Sequence, residues 1–256
     1  MRAEDRKLIA FVCERLRVSE SKAAEIVSVA ERLYKGRMRE RFSELKVCER
    51  LKRTNPFLLR IRGLRTVAEW ATTQVTSALF ASEEEAVGHV LEAIAKCCHP
   101  NATAPTYPDD FDYEVAEGND IVGYQVKMSW DCMPMSSRKN LSNTIRKVRE
   151  THKASSKDFI GVFAPCYGKA TTSSPPGQEY VAMGSREFWS KVGAGDRDFD
   201  VRVGDVCALL CSEFRQEINS TLVPTLIEKL TIEAMPLIGG NAGQINYPAL
   251  FRAINR

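Results

Sequence analysis

One stretch of the chain constrains the fold more than any other. Residues 107–130 read YPDDFDYEVAEGNDIVGYQVKMSW, in which two apolar-rich runs, Phe111–Val115 and Ile121–Met128, flank the turn-forming tetrapeptide AEGN. Gly118 and Asn119 within that tetrapeptide both tolerate a positive φ, which tight two-residue turns between antiparallel strands require. The stretch therefore predicts a β-hairpin.

The second run of this hairpin alternates polar and apolar side chains. Because successive side chains of a strand point to opposite faces, Gln125 and Lys127 share one face while Val126 turns into the core. Asp112 lies on the partner run. An acid, an amide oxygen and an ammonium group on neighbouring strands predict a Mg²⁺ and water site that serves phosphodiester hydrolysis. The alternative is an ordinary hairpin with polar residues on its open face, and the pattern alone favours neither.

Composition narrows the class of protein. The chain has 256 residues, of which 44% are hydrophobic and 27% charged, as is typical of a soluble globular protein. No run is long enough to span a membrane and the charged amino terminus is not a signal peptide, so we expect a cytoplasmic protein with reduced thiols. Cys97, Cys98 and His99 lack a matching CxxC pair, and we expect them to be structural instead of zinc ligands.

The other periodic segments predict an α/β protein. Before the hairpin, apolar spacing predicts helices at 4–17, from 20 into the forties, at 64–80 and from a capping box at 82–85. After the hairpin it predicts strands at 158–164 and 178–183. Helices are then predicted from 185, at 206–222 and at 224–230. Residues 193–204 are expected to form a loop. This order predicts an α/β layer structure with a mixed central sheet and a helical extension at the amino terminus. We expect residues 1–53 to form that helical region and residues 54–256 the main domain.

Basic residues are concentrated between residues 32 and 53. Nine Lys and Arg residues stand there against three Glu residues, although the net charge of the whole chain is only +3. One interpretation is a solvated helix face with some ion pairs. A second is a surface that follows the phosphates of DNA, which the excess of one sign favours, and dimerisation is a third role for the segment.

Several stretches together resemble a known group of enzymes. They are TNPFLL (54–59), SEEEAVGHVLEAI (82–94), FDYEV and GYQVK within 111–127, DFIGVFAPCYG (158–168) and SREFWSKV (185–192). The chain resembles the PD-(D/E)XK nuclease superfamily and, more narrowly, type II restriction endonucleases of the TdeIII kind, which cut GGNCC-like sites. The resemblance implies a restriction-endonuclease-like α/β/α core.

The same resemblance implies a reaction and a set of residues. It implies a Mg²⁺-dependent homodimer that cuts double-stranded DNA at a short palindromic site, each protomer cleaving one strand. Asp112 would be the metal-binding acid, Lys127 the catalytic lysine, and Glu92 an accessory acid from the preceding helix. Polar residues that follow the lysine or lie in the 165–177 loop would face the DNA, and the candidates are Arg138, Lys139, Asn140, Asn143 and Lys169.

Two departures from the superfamily pattern bear on the site. The residue two before the lysine is usually acidic and is Gln125 here, a neutral and weaker ligand. Asp109, Asp110 and Asp112 all compete for the role of first acid, and Pro108-Asp109 even spells the PD of the superfamily name. Asp112 is preferred because FDYEV is expected to hold it within the strand, with Asp110 as the second choice.

Two other classes of function stay open at this point. The chain could be a DNA-binding or repair-associated protein that kept the fold and lost catalysis, with Gln125 as the sign of that loss. It could also be a structural helical protein whose basic amino-terminal region binds another protein. A steep fall of DNA affinity with salt would argue against this last class.

Overall fold

The predicted hairpin lies in the middle of a mixed five-stranded sheet. The computed structural model describes residues 3–107, 109–152 and 158–255. The strands, in their order across the sheet, are β1 (Ala102–Thr103), β2 (Tyr113–Glu117), β3 (Asp120–Ser129), β4 (Asp158–Tyr167) and β5 (Val181–Ala182). Pairing is antiparallel from β1 to β3 and parallel from β3 to β5. This arrangement confirms the predicted α/β class with a mixed central sheet.

The hairpin itself has the predicted two-residue loop. Glu117 pairs with Asp120, and Gly118 has a φ of +63°, which a type II′ turn requires at its first loop position. Strand β2 begins at Tyr113, so Asp112 lies just before the strand and not within it as predicted. The regular ladder ends at this point because the Asp112 carboxylate, and not a backbone carbonyl, takes the N–H of the opposite strand.

Helices cover most of the remaining chain. The described residues contain α1 (Ala3–Leu16), α2 (Glu20–Val29), α3 (Arg37–Ser43), α4 (Val47–Lys52), α5 (Pro56–Ile61), α6 (Val67–Cys98), α7 (Met135–His152), α8 (Ser185–Val192), α9 (Phe199–Glu217), α10 (Val223–Ile238) and α11 (Tyr247–Ile254). Two π-helical segments, Ala30–Gly36 and Ile218–Leu222, follow α2 and α9. Among the described helices, none combines the length and the apolar character needed to cross a membrane.

Several predicted boundaries were wrong. Helix α6 is continuous over 32 residues, and Ser82 lies inside it instead of capping a new helix, because no Gly or Pro interrupts residues 67–87. Helix α9 begins at Phe199, within the predicted 193–204 loop. Strand β5 is limited to two residues because Gln178 and Glu179 bond to side chains of α7.

The contact between α7 and the sheet depends on glycine. Gly123 and Gly161 are paired across β3 and β4. A Cβ atom on Gly161 would overlap Ile145 of α7, and one on Gly123 would meet the ring of Phe159 at 2.5 Å. The missing side chains therefore let the helix and the aromatic core approach the strands closely. Phe111 and Leu141 belong to the same buried cluster.

The chain forms two compact units. The first comprises Met1–Glu31 and Val87–Leu210 and contains the whole sheet, and the second comprises Arg32–Ala86 and Cys211–Arg256 and is helical. The boundary expected between residues 53 and 54 falls within the second unit. The separate role expected for residues 1–53 stays a prediction.

Candidate functional site

Asp112 is held at the open end of the hairpin by two backbone contacts. Its N–H donates to the carbonyl oxygen of Tyr124 at 2.8 Å, and its Oδ2 accepts a hydrogen bond from the N–H of Val126 at 2.7 Å. The carboxylate therefore has a fixed position beside the segment of β3 that carries Gln125 and Lys127.

The electrostatic environment of Asp112 connects three of the candidate residues. Burial, and after it the negative charge of Glu92 on α6, raise the pKa of its carboxyl group to about 6. The positive charge of Lys127, the Val126 N–H and His89 oppose this rise. A buried carboxylate whose pKa is raised by a second acid is typical of a functional site, and a cation would relieve the repulsion.

Gln125 presents an unsatisfied oxygen in the first unit. Its Nε2 donates to the carbonyl oxygen of Asp110 at 3.1 Å, which orients the amide. Its Oε1 is buried and accepts no hydrogen bond from any described residue. Since buried acceptors are almost always paired, this oxygen suits a ligand that supplies the missing interaction, and Mg²⁺ prefers such hard oxygen atoms. Within the described residues, no group of three or more His, Cys, Asp and Glu side chains is placed to hold a metal ion.

Lys127 is the cation of this group. The side chain is half-buried, while Val126 beside it is fully buried in the core, as strand alternation predicts. Among the described residues, no carboxylate forms an ion pair with the Lys127 ammonium within 4 Å, although its charge acts on Asp112. This leaves the ammonium group able to contact an added anion.

The other acids of this stretch differ in their surroundings. Asp109 is exposed, and Asp110 contributes its backbone oxygen to Gln125. Glu114 is buried and accepts hydrogen bonds from the N–H and Oγ1 of Thr106, both at 2.9 Å. Pro108 lies outside the described residues. The charges of both Glu92 and Lys127 act on the Asp112 carboxyl group.

His89 is a residue of this site that the sequence analysis missed. Its Nδ1 lies 3.1 Å from Oε2 of Glu92, one turn further along α6. The i,i+3 spacing of a His and a Glu on one helix was the available signal. The contact restrains one oxygen of Glu92 and leaves the other without that partner.

The candidate DNA-facing residues divide into two groups. Lys139, Asn140 and Asn143 are exposed on α7. Arg138 is instead engaged within the protein: its guanidinium donates to the carbonyl oxygens of Met133 and Trp130, at 3.1 and 2.9 Å.

Two of the cationic side chains predicted to face DNA lie against the ring of Trp130. The guanidinium of Arg138 lies 4.3 Å from the centre of its ring, and the ammonium of Lys169 lies 4.5 Å from it. Cation–π contacts of this kind hold both side chains against the turn that follows β3. Lys169 remains half-exposed there.

The CCH sequence at residues 97–99 lies at the end of α6. The His99 ring packs against Tyr113 and Tyr124, with centroids 5.6 and 5.1 Å apart. Its Nδ1 is 3.1 Å from the carbonyl oxygen of Pro100, and burial lowers the pKa of the ring. These contacts are those of a core residue.

A comparison with protein-family models identifies a matching family. Residues 22–205 match the family model of the type II restriction endonuclease EcoO109I, and this range includes every candidate residue from Glu92 to Lys169. None of the curated proteins is significantly similar to the chain. The matched range covers more than two thirds of the 256 residues. The chain therefore belongs to the EcoO109I family of type II restriction endonucleases.

Proposed function

We propose that the protein is a Mg²⁺-dependent enzyme that hydrolyses phosphodiester bonds of double-stranded DNA at a short palindromic site. Family membership supports the general class of type II restriction endonuclease. The observation that carries the metal-dependent part is the raised pKa of Asp112, whose buried carboxylate feels the charges of Glu92 and Lys127.

Asp112, Glu92 and Gln125 would hold the metal ion. Two carboxylates and the unpaired Oε1 of Gln125 are the hard oxygen donors that Mg²⁺ takes, with water completing its coordination. When bound, the ion supplies a Lewis acid that offsets negative charge on the scissile phosphate. The Val126 N–H keeps the Asp112 carboxylate in one orientation, so the donor set is arranged before the substrate arrives.

Lys127 would act on the substrate. Its ammonium group, which forms no ion pair among the described residues, can donate hydrogen bonds to a phosphate oxygen as negative charge develops there. Because side chains alternate along the strand, Lys127 points to the same side as Gln125. The metal ligand and the ammonium group would therefore act on the same phosphate.

DNA contact is proposed for the exposed residues of α7. Lys139, Asn140 and Asn143 offer a cation for phosphates and amides for base edges, and the half-exposed Lys169 adds a second cation. A palindromic site implies a homodimer with two-fold symmetry, in which each protomer cleaves one strand. The narrower resemblance to TdeIII-like cutters of GGNCC sites belongs to the same proposal.

Plasmid digestion tests the reaction. We expect the wild-type protein to give discrete fragments with Mg²⁺, and Lys127→Ala to lose about 10²- to 10³-fold or more of that activity. Lys96→Ala removes an exposed lysine of α6 and serves as the matched control. Wild-type activity in Lys127→Ala would contradict the assignment. Run-off sequencing of the fragments reports the recognised bases and the cut position.

A catalytically silent relative is the second candidate, because Gln125 stands where the superfamily usually has an acid. Under this alternative, wild-type protein would shift DNA in a salt-sensitive manner in gels without cutting it. The same digestion, run beside a gel shift, therefore separates the two candidates.

A further inference from the structure

The second unit contains a polar cavity that the proposed nuclease site does not use. It has a volume of about 540 Å³, within the range of small-molecule sites, and is lined by segments of α3 to α6 and their connections. Four arginines line it, Arg41, Arg50, Arg53 and Arg62, together with the three acids Glu44, Glu49 and Glu85.

One of the four arginines in this cavity forms an ion pair. Arg41 pairs with Glu85 at 3.1 Å, so these two charges offset each other. Arg50, Arg53 and Arg62 have no carboxylate within 4 Å among the described residues. Burial and the charge of Arg53 lower the pKa of Arg50, while Glu49 opposes this change, so the two neighbouring guanidinium groups repel each other more than the acid compensates.

Gln74 adds an uncharged hydrogen-bond donor to the lining of the cavity. Its side chain lines the cavity from α6, and the residue is only 9% exposed. Its amide forms no hydrogen bond to any residue that the structure describes, whereas the hydroxyl of the neighbouring Thr73 donates to the carbonyl oxygen of Glu69. The amide is therefore available to donate to a ligand in the cavity.

We propose that this cavity binds the phosphate group of a nucleotide, with Arg50, Arg53 and Arg62 at the phosphate and the Gln74 amide donating to the same ligand. The planar fork of a guanidinium matches phosphate oxygens, and arginine is preferred wherever such two-point contacts form. The phosphate comes either from a free nucleotide or from the backbone of DNA. This site is separate from the metal site and does not depend on the nuclease proposal.

Calorimetric titration of the full chain tests this assignment. The probes are inorganic phosphate, deoxyguanosine monophosphate, deoxyguanosine and a DNA duplex, each titrated without metal in the Lys127→Ala background so that the proposed catalytic lysine does not contribute. We expect phosphate and the nucleotide to bind and the nucleoside to bind at least about 10-fold more weakly, because it lacks the charged contacts.

Two variants and a control test whether the phosphate probes bind in this cavity. Arg53→Gln removes a cavity charge and Gln74→Leu removes the amide at nearly constant volume, and each should weaken phosphate binding by about 10-fold or more. Lys52→Gln removes an exposed charge between Arg50 and Arg53 that does not line the cavity, and it should leave affinity within about 2-fold. Circular dichroism melting confirms that each variant is folded.

The results distinguish the two sources of the phosphate, and one result would refute the proposal. If the source is DNA, Arg53→Gln should weaken duplex binding and reduce the slope of log affinity against log salt by about 1. If it is a free nucleotide, duplex binding should not change while nucleotide binding falls. Equal affinities of Arg53→Gln, Gln74→Leu and Lys52→Gln for all probes would overturn the proposal. Because no cleavage is measured, a failed nuclease assignment leaves this result unaffected.

Discussion

Asp112→Asn should make the metal-free protein more stable at neutral pH while it abolishes cleavage. The pKa of this carboxyl group is raised from 3.8 to about 6 in the folded protein, chiefly by burial and then by Glu92. Each unit of pKa corresponds to about 1.4 kcal/mol, so the ionised carboxylate lowers the free energy of unfolding by about 3 kcal/mol. Asparagine keeps the shape without the charge, and we expect a gain of about 2 kcal/mol.

The raised pKa of Asp112 determines how the stability difference between the wild type and Asp112→Asn changes with pH. The folded protein binds this proton more tightly than the unfolded chain, so wild-type stability falls as pH rises from about 4 to about 6 and stays low above that. The advantage of Asp112→Asn should therefore be complete at pH 7 and almost absent at pH 4. Mg²⁺ should stabilise the wild type, since it binds the folded state, and should not stabilise the variant.

Urea unfolding at pH 4 and pH 7, with and without Mg²⁺, measures these differences. Asp109→Asn is the matched control, because Asp109 is exposed and its replacement should change stability by less than about 0.5 kcal/mol. A gain that is equal at both pH values, or no gain at pH 7, would refute the electrostatic reasoning and remove the main support for a metal site at Asp112.

Further substitutions test the site and its surroundings. His89→Leu should weaken Ca²⁺ binding about 10-fold in calorimetry, whereas His89→Gln, which can still donate to Glu92, should bind nearly as the wild type does. Gly161→Ala should lower the free energy of unfolding, measured in urea, by about 1–3 kcal/mol because its methyl group overlaps Ile145. In the Gly161→Ala background, Ile145→Ala should cost less than the same substitution costs in the wild-type protein. Gln125→Glu should tighten Ca²⁺ binding and lower metal-free stability, and unchanged values for both would contradict a ligand role for this side chain.

Local patterns predicted the central strands well. The two runs around Gly118 form the hairpin, and the short apolar run at Asp158–Ala164 lies inside β4, which is paired in parallel on both sides. These elements are specified by side-chain alternation and by turn chemistry within a few residues. Strand β1 was not predicted, and the strand predicted at 178–183 is reduced to the two residues of β5, because both short strands depend on their pairing with Val115 or Val162.

The prediction of helix boundaries was wrong where a local capping signal lies inside a continuous helix. Ser82 and Glu85 have the spacing of a capping box, but a cap is needed only where the preceding backbone leaves the helix. In α6 the chain is already helical from Val67, and Glu85 pairs with Arg37 and Arg41 instead of the backbone at Ser82. Sequence spacing alone does not report such long-range partners.

The site shows the same division between local and long-range information. Strand alternation was enough to predict that Gln125 and Lys127 share a face. The influence of Glu92 on Asp112 depends on how α6 packs behind the sheet, which its own sequence does not specify. Arg138 was a candidate for DNA contact, yet the phase of α7 turns its guanidinium onto Trp130, and that phase is set by the buried Leu141.

The charge of the site offers a physical reason for Gln125 in the proposed enzyme. Asp112 already carries the cost of burial and of the Glu92 charge before any metal binds. A third carboxylate at position 125 would raise that repulsion further, with only Lys127 and His89 opposing it. The amide supplies an oxygen without a charge, and the Asp110 carbonyl holds it in position. A neutral ligand therefore lowers the cost of the metal-free state at the expense of metal affinity, which is compatible with catalysis and does not by itself indicate an inactive protein.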